Sequence, residues 1–323
     1  MQNEDSFFSA LVDDGRPLLI VFALVLIGCG IFAIFQAATG HFLPHDSAFL
    51  GMTSDQLCTL HGCRIVHFMI HDRISFGGVL VAIGTMYLWL TMFPLRNGEA
   101  WAWWTLVASG VAGFLSFLTY LGYGYLDTWH GLSTLAILPI FAWGLARTRR
   151  LVREPRGWRA LLRAGESMHA ARLCLLLSTL GIIGGGLTIM TVGMTSVFVP
   201  QDLEFMGLDA NAIRAINDKL VPLIAHDRAG FGGGLASVGI AMFLTVWCAP
   251  LSRSLWQALA VAGVAGFGTA IGIHPVIGYN SVTHLGPAVV GAIVFFTGMV
   301  LAKVKPHVAS DLEDRLRRNA AVD

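Results

Sequence analysis

The sequence predicts an all-α membrane protein of eight transmembrane helices, built as two tandem four-helix bundles. Hydrophobic residues make up 55% of the 323 residues, and charged residues only 13%. Soluble domains usually carry about 25% charged residues, so this chain lacks roughly half of that charge. It also contains long apolar runs and two copies of one sequence pattern. The net charge of +1 argues against a nucleic-acid partner, because such proteins concentrate basic residues on one face.

Eight apolar runs are long enough to cross a bilayer, since a helix needs about 20 mainly apolar residues to span the hydrocarbon core. The runs cover residues 17–38, 74–93, 101–122, 129–146, 172–194, 231–249, 255–273 and 284–302. Their many glycines suit helices that pack closely in lipid. The lipid bilayer is therefore the first predicted partner.

The basic residues are distributed unevenly between the connections, which predicts the orientation. Connections on the cytoplasmic side of a membrane carry the excess of Lys and Arg. Sixteen of the 21 basic residues lie at the end that holds both termini and the central connection. We expect a multi-pass protein of the inner (plasma) membrane with both termini in the cytoplasm.

A pattern of eight residues divides the chain into two repeats. His-Asp-Arg-x-x-Phe-Gly-Gly begins at His71 and again at His226, and Asp46 of the preceding loop recurs as Asp202. Because each copy holds four spans, both cross the membrane in the same sense, and a pseudo-twofold axis along the membrane normal relates them. The predicted divisions are a first repeat at 1–146, a basic cytoplasmic linker at 147–171, a second repeat at 172–302 and a cytoplasmic tail at 303–323.

Each copy carries one histidine near the outer end of its second helix and one near that of its fourth. These residues are His71 and His130 in the first copy, and His226 and His284 in the second. Ionisable groups within spans are costly and usually functional, and two imidazoles from facing helices are what a bis-histidine heme iron requires. We therefore expect the four histidines to be metal ligands for one or two hemes. The alternative is that they serve only as polar groups at helix ends.

Two aromatic–glycine pairs follow the second-helix histidines by about one turn. Phe76 and Gly77, and in the second copy Phe231 and Gly232, would provide a flat helix surface against a porphyrin. We expect these residues to bind the cofactor. Tight helix packing, the usual role of small residues in membrane helices, is the alternative.

The charged residues after each second-helix histidine are the candidate catalytic residues. Arg73 and Arg228 are suited to bind heme propionates or an anionic substrate group through bidentate hydrogen bonds. Asp72 and Asp227 are suited to orient a histidine or to relay protons. An equally good interpretation is structural, since an aspartate near a helix N-terminus is favoured by the helix dipole and an arginine there extends to the headgroups.

Two cysteines, Cys58 and Cys63, lie close together in the first outer loop, where an oxidising environment favours a disulfide. The second copy has Ile213 and Asp218 at these positions, so the two halves are expected to differ in role. Free cysteines are the alternative. Each outer loop is also expected to contain a short helix, the first beginning with a capping box at 53–56.

The eight-helix architecture, the histidines on the second and fourth helix of each half and the loop cysteine pair together resemble the heme A synthase family. The resemblance implies two heme sites, of which one holds a substrate heme and the other a heme b. It assigns His71 and His130 to the first site, and His226 and His284 to the second. It also implies that Cys58 and Cys63 correspond to the cysteine pair of that family.

The chain differs from that family at one position in each half. The family has a glutamate three residues before its second-helix histidine, where this chain has Phe68 and Leu223. The resemblance therefore favours a related diheme membrane oxidoreductase or electron-transfer cytochrome with a b-type heme. Such a protein would exchange electrons with a quinone or another redox partner, or modify a lipophilic substrate near the outer surface.

Two other classes of function remain open from the sequence. A membrane transporter would place a His, Asp and Arg site between two parallel repeats. A non-heme zinc or copper protein would use three closely spaced histidines, His61, His67 and His71, as ligands. The second copy lacks equivalents of the first two.

Overall fold

The structure, a computed structural model, describes residues 13–118, 125, 128–153 and 166–302, with only the backbone described at 117, 118, 128–130 and 166–168. These ranges contain twelve α-helices, one short 3-10 turn and no strand. The eight long helices are α1 (Arg16–Ala38), α4 (Arg64–Met92), α5 (Ala100–Leu118), α6 (Thr128–Thr148), α7 (Glu166–Met194), α10 (Leu220–Cys248), α11 (Arg253–Ile277) and α12 (Val282–Leu301). The four short helices are α2 (Pro44–Leu50), α3 (Ser54–His61), α8 (Pro200–Met206) and α9 (Ala210–Ile216).

Seven of the described helices are long and apolar enough to cross a membrane, namely α1, α4, α6, α7, α10, α11 and α12. The all-α class and the multi-pass character predicted from the sequence are therefore confirmed. Helix α5, which corresponds to the predicted span 101–122, borders residues outside the described ranges and is not among the seven.

Helices α4 and α10 form the centre of the bundle. In their most apolar stretches 67% and 72% of the residues are buried, against 17–28% in the other five candidate spans. Helices α1 and α11 pack against α4, while α7 and α5 pack against α10. Helix α6 lies on α1, and α12 lies on α7.

Glycines allow the closest of these helix contacts. A Cβ atom on Gly77 of α4 would lie 2.8 Å from the carbonyl oxygen of Gly30 in α1. A Cβ on Gly232 of α10 would lie 2.7 Å from the carbonyl oxygen of Gly186 in α7. No larger residue fits these contacts without movement of a helix backbone, which is how small residues bring membrane helices together.

The two central helices begin earlier than the sequence indicated. The spans were predicted to start at 74 and 231, whereas α4 starts at Arg64 and α10 at Leu220. The charged residues of the repeated pattern therefore lie about two turns or more inside the helices. The helix-dipole interpretation of Asp72 is wrong for this reason, because that effect is confined to the first turn.

The four short helices gather at one end of the bundle, called here the loop end. Asn217 donates a hydrogen bond to the Leu50 carbonyl at 2.8 Å, so the two long loops are tied together. The capping box of α3 is confirmed, since Thr53 and Gln56 exchange backbone and side-chain hydrogen bonds. The predicted disulfide of the first loop is also present.

Candidate functional site

Two arginines of the repeated pattern hold the centre of the loop end together. The Arg73 guanidinium lies between two carboxylates, with Nη1 2.7 Å from Asp46 and Nε 2.8 Å from Asp227. Asp46 belongs to the short helix α2 and Asp227 to the opposite central helix α10. One side chain thus links α4 to its own loop and to the second half of the chain.

Arg228 makes the corresponding contacts from α10. Its Nη1 lies 2.6 Å from Asp202 of α8, and its Nε lies 3.4 Å from Asp72 of α4. Nη1 also donates to the Val197 carbonyl at 2.7 Å. All four predicted catalytic residues therefore take part in ion pairs that cross between the two central helices.

Two tyrosines complete the carboxylate contacts of the loop helices. The Tyr125 hydroxyl donates to Asp46 at 2.7 Å, and the Tyr279 hydroxyl donates to Asp202 at 2.7 Å. Burial, together with the neighbouring Asp202 carboxylate, raises the pKa of Tyr279 well above its usual range. The phenol therefore stays protonated as a hydrogen-bond donor. These contacts give the charged residues a positioning role at the loop end.

Three histidines from three helices meet beside this network. His71 of α4, His274 of α11 and His284 of α12 each offer one ring nitrogen, and these three nitrogens lie within 4.8 Å of one another. Their ring centroids are 4.5 Å (71–274), 5.6 Å (71–284) and 5.4 Å (274–284) apart. Tyr279 stacks on His284 at 4.4 Å. These three residues are called the histidine trio below.

The ring nitrogens of the trio are arranged as metal ligands would be. Nδ1 of His71 lies 3.0 Å from Asp72, and Nδ1 of His284 lies 3.9 Å from Asp202. The Asp72 contact lacks hydrogen-bond alignment and the Asp202 contact exceeds hydrogen-bond distance, but a carboxylate beside one ring nitrogen still favours a proton on that nitrogen and leaves the other for a ligand. A tetrahedral ion with bonds of about 2.0 Å holds its ligand atoms about 3.3 Å apart. Side-chain rotations that move each ring nitrogen by about 1 Å would therefore complete the coordination.

His274 gives the strongest indication of a bound group. Its side chain is only 3% exposed, yet neither ring nitrogen makes an aligned hydrogen bond with any described residue. Its approach to the Ala270 carbonyl one turn earlier lacks hydrogen-bond geometry. Burying polar atoms without partners is costly. A metal ion shared with His71 and His284 would satisfy this ring.

The trio crosses the boundary between the halves, unlike the pairs expected from the resemblance. His284 of the second copy contacts His71 of the first. His226 packs edge-on against the Tyr125 ring, with centroids 4.9 Å apart. His130 lies in the first turn of α6, and its side chain is outside the described residues. Its pairing with His71 therefore stays a prediction.

The other predicted cofactor residues lie on several sides of the central helices. Gly77 and Gly232 are covered by α1 and α7, as the close contacts above require. Phe231 lines the cavity beside the trio, and the Phe76 ring lies against Gly234 on the side of α10. Both glycines therefore serve close helix packing, against α1 and α7, and their faces are not open to a cofactor.

The non-heme site proposed from sequence spacing has a different composition in the structure. Only His71 of that set belongs to the trio. His61 instead lies with Nε2 3.0 Å from the Met206 carbonyl, and His67 lines a separate pocket between α1, α4 and α11. His61 is separated from His71 by the turn at Gly62 and Cys63, and His67, one turn before His71 on α4, lines the other pocket.

His274 was not predicted as a site residue. His274 is not part of the repeated histidine pattern, since the first copy has no histidine at the matching place in the sequence. One feature of the sequence could have indicated His274. It stands directly after the predicted span 255–273 and next to Pro275, and a buried polar residue at a helix end has few hydrogen-bond partners.

A cavity of about 700 Å³ extends from the trio into the bundle. It lies between α4, α7, α10, α11 and α12, and its walls are mostly apolar side chains and glycines. His71, His274 and His284 line it together with Asp72 and Arg228. The site is thus a polar cluster at one end of an apolar chamber.

No protein-family model matches this chain, and comparisons with curated proteins and with solved structures give no match either. The function assigned to the site therefore depends on the geometry of the described residues.

Proposed function

We propose that this chain is a metal-dependent membrane oxidoreductase whose metal ion is held by His71, His274 and His284. The observation that carries the proposal is His274, a buried imidazole without an aligned hydrogen bond that faces two further imidazoles. The trio supplies three neutral nitrogen ligands, and Asp72 and Asp202 lie against two of the rings.

The ligand set favours a borderline transition metal. Imidazole suits zinc, copper, iron and nickel, whereas calcium and magnesium prefer oxygen ligands. Sites that do chemistry typically keep three protein ligands and one open position. When bound, such an ion would supply Lewis-acid or electron-transfer chemistry to a molecule in the open position.

The surroundings of the trio favour redox chemistry on a lipophilic substrate over hydrolysis. Hydrolysis needs a supply of water at the metal, but the chamber that adjoins the trio has mostly apolar walls. The chain's own residues surround the ligands: Asp72 lies 3.0 Å from the His71 ring, and Tyr279 packs on His284 while its hydroxyl donates to Asp202. The ion pairs of Arg73 and Arg228 hold the two halves in register around the site.

A heme protein is the second candidate, as the resemblance to heme A synthases implies. The specific observation in its favour is that His71, His284 and Arg228 line one apolar cavity. Two imidazoles and a cation are the groups that a b-type heme uses for its iron and propionates. A quinone would then be a suitable electron partner.

The repeat and the eight-span architecture belong to the same proposal. Helix α5 would be the third span, since it packs against α10 as α11 packs against α4. The pairing of α1 with α4 and of α7 with α10 repeats in the same way, which supports a pseudo-twofold axis along the membrane normal. The positive-inside distribution supports a loop end outside the plasma membrane and both termini in the cytoplasm.

Metal analysis of detergent-purified protein, combined with its visible absorption spectrum, tests the proposal. We expect about one transition-metal ion per chain without a heme absorption band, and loss of the metal in His274→Ala. His67→Ala is the matched control, because His67 lies one turn from His71 but lines another pocket. A heme spectrum that disappears in His71→Ala and His284→Ala would favour the second candidate. Protein that holds neither metal nor heme after reconstitution would refute both.

A further inference from the structure

The chamber next to the histidine trio extends along α7. Its lining along α7 runs from Leu177 to Val192, a distance of about 22 Å at 1.5 Å per residue. Its volume is about 700 Å³. That length and volume suit an extended hydrocarbon chain.

The chamber borders the seam between α7 and α12. Towards the end away from the loops these helices touch, since the Ser178 hydroxyl donates to the Gly291 carbonyl at 2.9 Å and a Cβ on Gly298 would lie 3.0 Å from the Ala171 carbonyl. Closer to the loop end, a Cβ on Gly181 of α7, which lines the chamber, would meet nothing within 4 Å.

Lining residues near this seam are exposed on the outside of the bundle as well. Leu177 of α7 is 55% exposed, and Val290 of α12 is 60% exposed, although both line the chamber. In a membrane that surface faces lipid. The chamber is therefore accessible to a molecule dissolved in the bilayer.

A buried hydroxyl marks the polar end of the chamber. Ser75 lies one turn along α4 from His71, on the same face of the helix, and it lines the chamber. Its side chain is 1% exposed, and its Oγ has no hydrogen-bond partner among the described residues. A buried hydroxyl without a partner is costly, so an oxygen atom of a ligand would satisfy it. The second copy has Gly230 at this position.

We propose that the chamber binds a long-chain, lipid-soluble molecule with an oxygen-bearing head. Its chain lies along α7, its carbonyl or hydroxyl oxygen hydrogen-bonds to Ser75 beside the trio, and it enters from the bilayer between α7 and α12. The inference rests on the proposed function only for what happens to the head at the metal. Binding itself requires the chamber and Ser75, both of which are independent of a metal.

Photolabelling with two probes of equal chain length tests the binding site. One probe is a long-chain benzoquinone with a diazirine near the end of its chain, and the other is a diazirine-bearing alkane without the head. We expect competition-sensitive labelling of α7 and α12 at the chamber, and at least a tenfold loss in Gly181→Leu, which fills the channel. Gly184→Leu is the matched control, since a Cβ at Gly184 also meets nothing within 4 Å but that residue does not line the chamber.

The head is tested separately with Ser75→Ala. Loss of one hydrogen bond should weaken binding of the benzoquinone probe about 3- to 10-fold and leave the alkane probe unchanged. Equal labelling in Gly181→Leu and Gly184→Leu, labels spread evenly around the lipid-facing surface, or no effect of Ser75→Ala would overturn the inference.

Labelling of chelator-treated protein and of His274→Ala separates this inference from the metal proposal. If the purified protein holds no metal but Gly181→Leu still blocks the benzoquinone probe, only the metal proposal fails. If metal binds normally but Gly181→Leu and Gly184→Leu behave alike, only the chamber proposal fails.

Discussion

Nε of Arg73 in α4 lies 2.8 Å from a carboxylate oxygen of Asp227 in α10, so an ion pair joins the two most buried helices. Its counterpart, Arg228 with Asp72, runs in the opposite direction at 3.4 Å. Each arginine also holds an aspartate of a loop helix. The loop end is thus organised by charges that are mutually satisfied, and the histidine trio is built against them.

Asp227→Asn should destabilise the bundle, because it removes one partner of a largely buried pair. Such losses cost about 3–5 kcal/mol, and the lower end is expected here since Asp46 still contacts Arg73. Thermal unfolding in detergent should show a Tm lower by several degrees. Asp14→Asn is the control, because the Asp14–Arg16 pair is more exposed and should change stability by less than about 1 kcal/mol. Equal shifts in the two variants would contradict the structural role of the pair.

Gly232→Leu should prevent close packing of α7 on α10. The new Cβ would lie 2.7 Å from the Gly186 carbonyl, and overpacking a tight contact costs about 1–3 kcal/mol or more. Size-exclusion chromatography should show a reduced yield of monodisperse protein. Gly28→Leu, at a position where a Cβ meets nothing within 4 Å, should behave like the parent. If both variants were equally well folded, the helix contact would be looser than described.

Tyr279→Phe should lower stability by more than Tyr87→Phe does. Tyr279 donates to the charged Asp202, whereas Tyr87 donates to the neutral Ser109 hydroxyl, and hydrogen bonds to charged groups contribute about 1.5–3 kcal/mol against about 0.5–1.5 for neutral ones. Because the pKa of Tyr279 is raised on folding, this contribution should be fully present below about pH 10 and be lost as the pH rises towards the folded-state pKa. Unfolding measured at several pH values checks both statements, and a loss that begins below pH 8 would contradict the second.

Adding Zn²⁺ or Cu²⁺ should raise the Tm of the parent protein and of His67→Ala, but not that of His274→Ala. A ligand that binds only the folded state contributes about 2.7 kcal/mol at a hundredfold excess over its Kd. The gain should shrink at low pH, because protons compete with metal for imidazole nitrogens. A rise of equal size in His274→Ala would mean that the metal binds elsewhere.

Local features of the fold could be predicted from the sequence. Apolar runs predicted the long helices, and short-range patterns predicted the α3 capping box and the Cys58–Cys63 disulfide. Helix starts were less predictable: α4 and α10 extend well before residues 74 and 231 because ion pairs from distant residues compensate Arg73 and Arg228. The sequence around Arg73 and Arg228 does not specify these partners, because they lie in other helices.

The composition of the site could be predicted only in part. His71 and His284 stood out because they recur in both copies, and the repeat suggested pairs within each half. The structure brings His71 and His284 together across the halves, with α11 packed against α4 and α12 packed against α11. The packing of α11 against α4 also places His274, which has no counterpart in the first copy, beside His71. Contacts of this kind depend on how whole helices pack, which periodicity and spacing do not specify.

The X-ray absorption spectrum of the metal-loaded protein at the metal edge tests the histidine trio most directly. Three imidazole nitrogens at about 2.0 Å are expected in the parent protein, and no imidazole-ligated metal is expected in His274→Ala. Four porphyrin nitrogens, or a metal bound by oxygen ligands alone and unaffected by His274→Ala, would contradict the account.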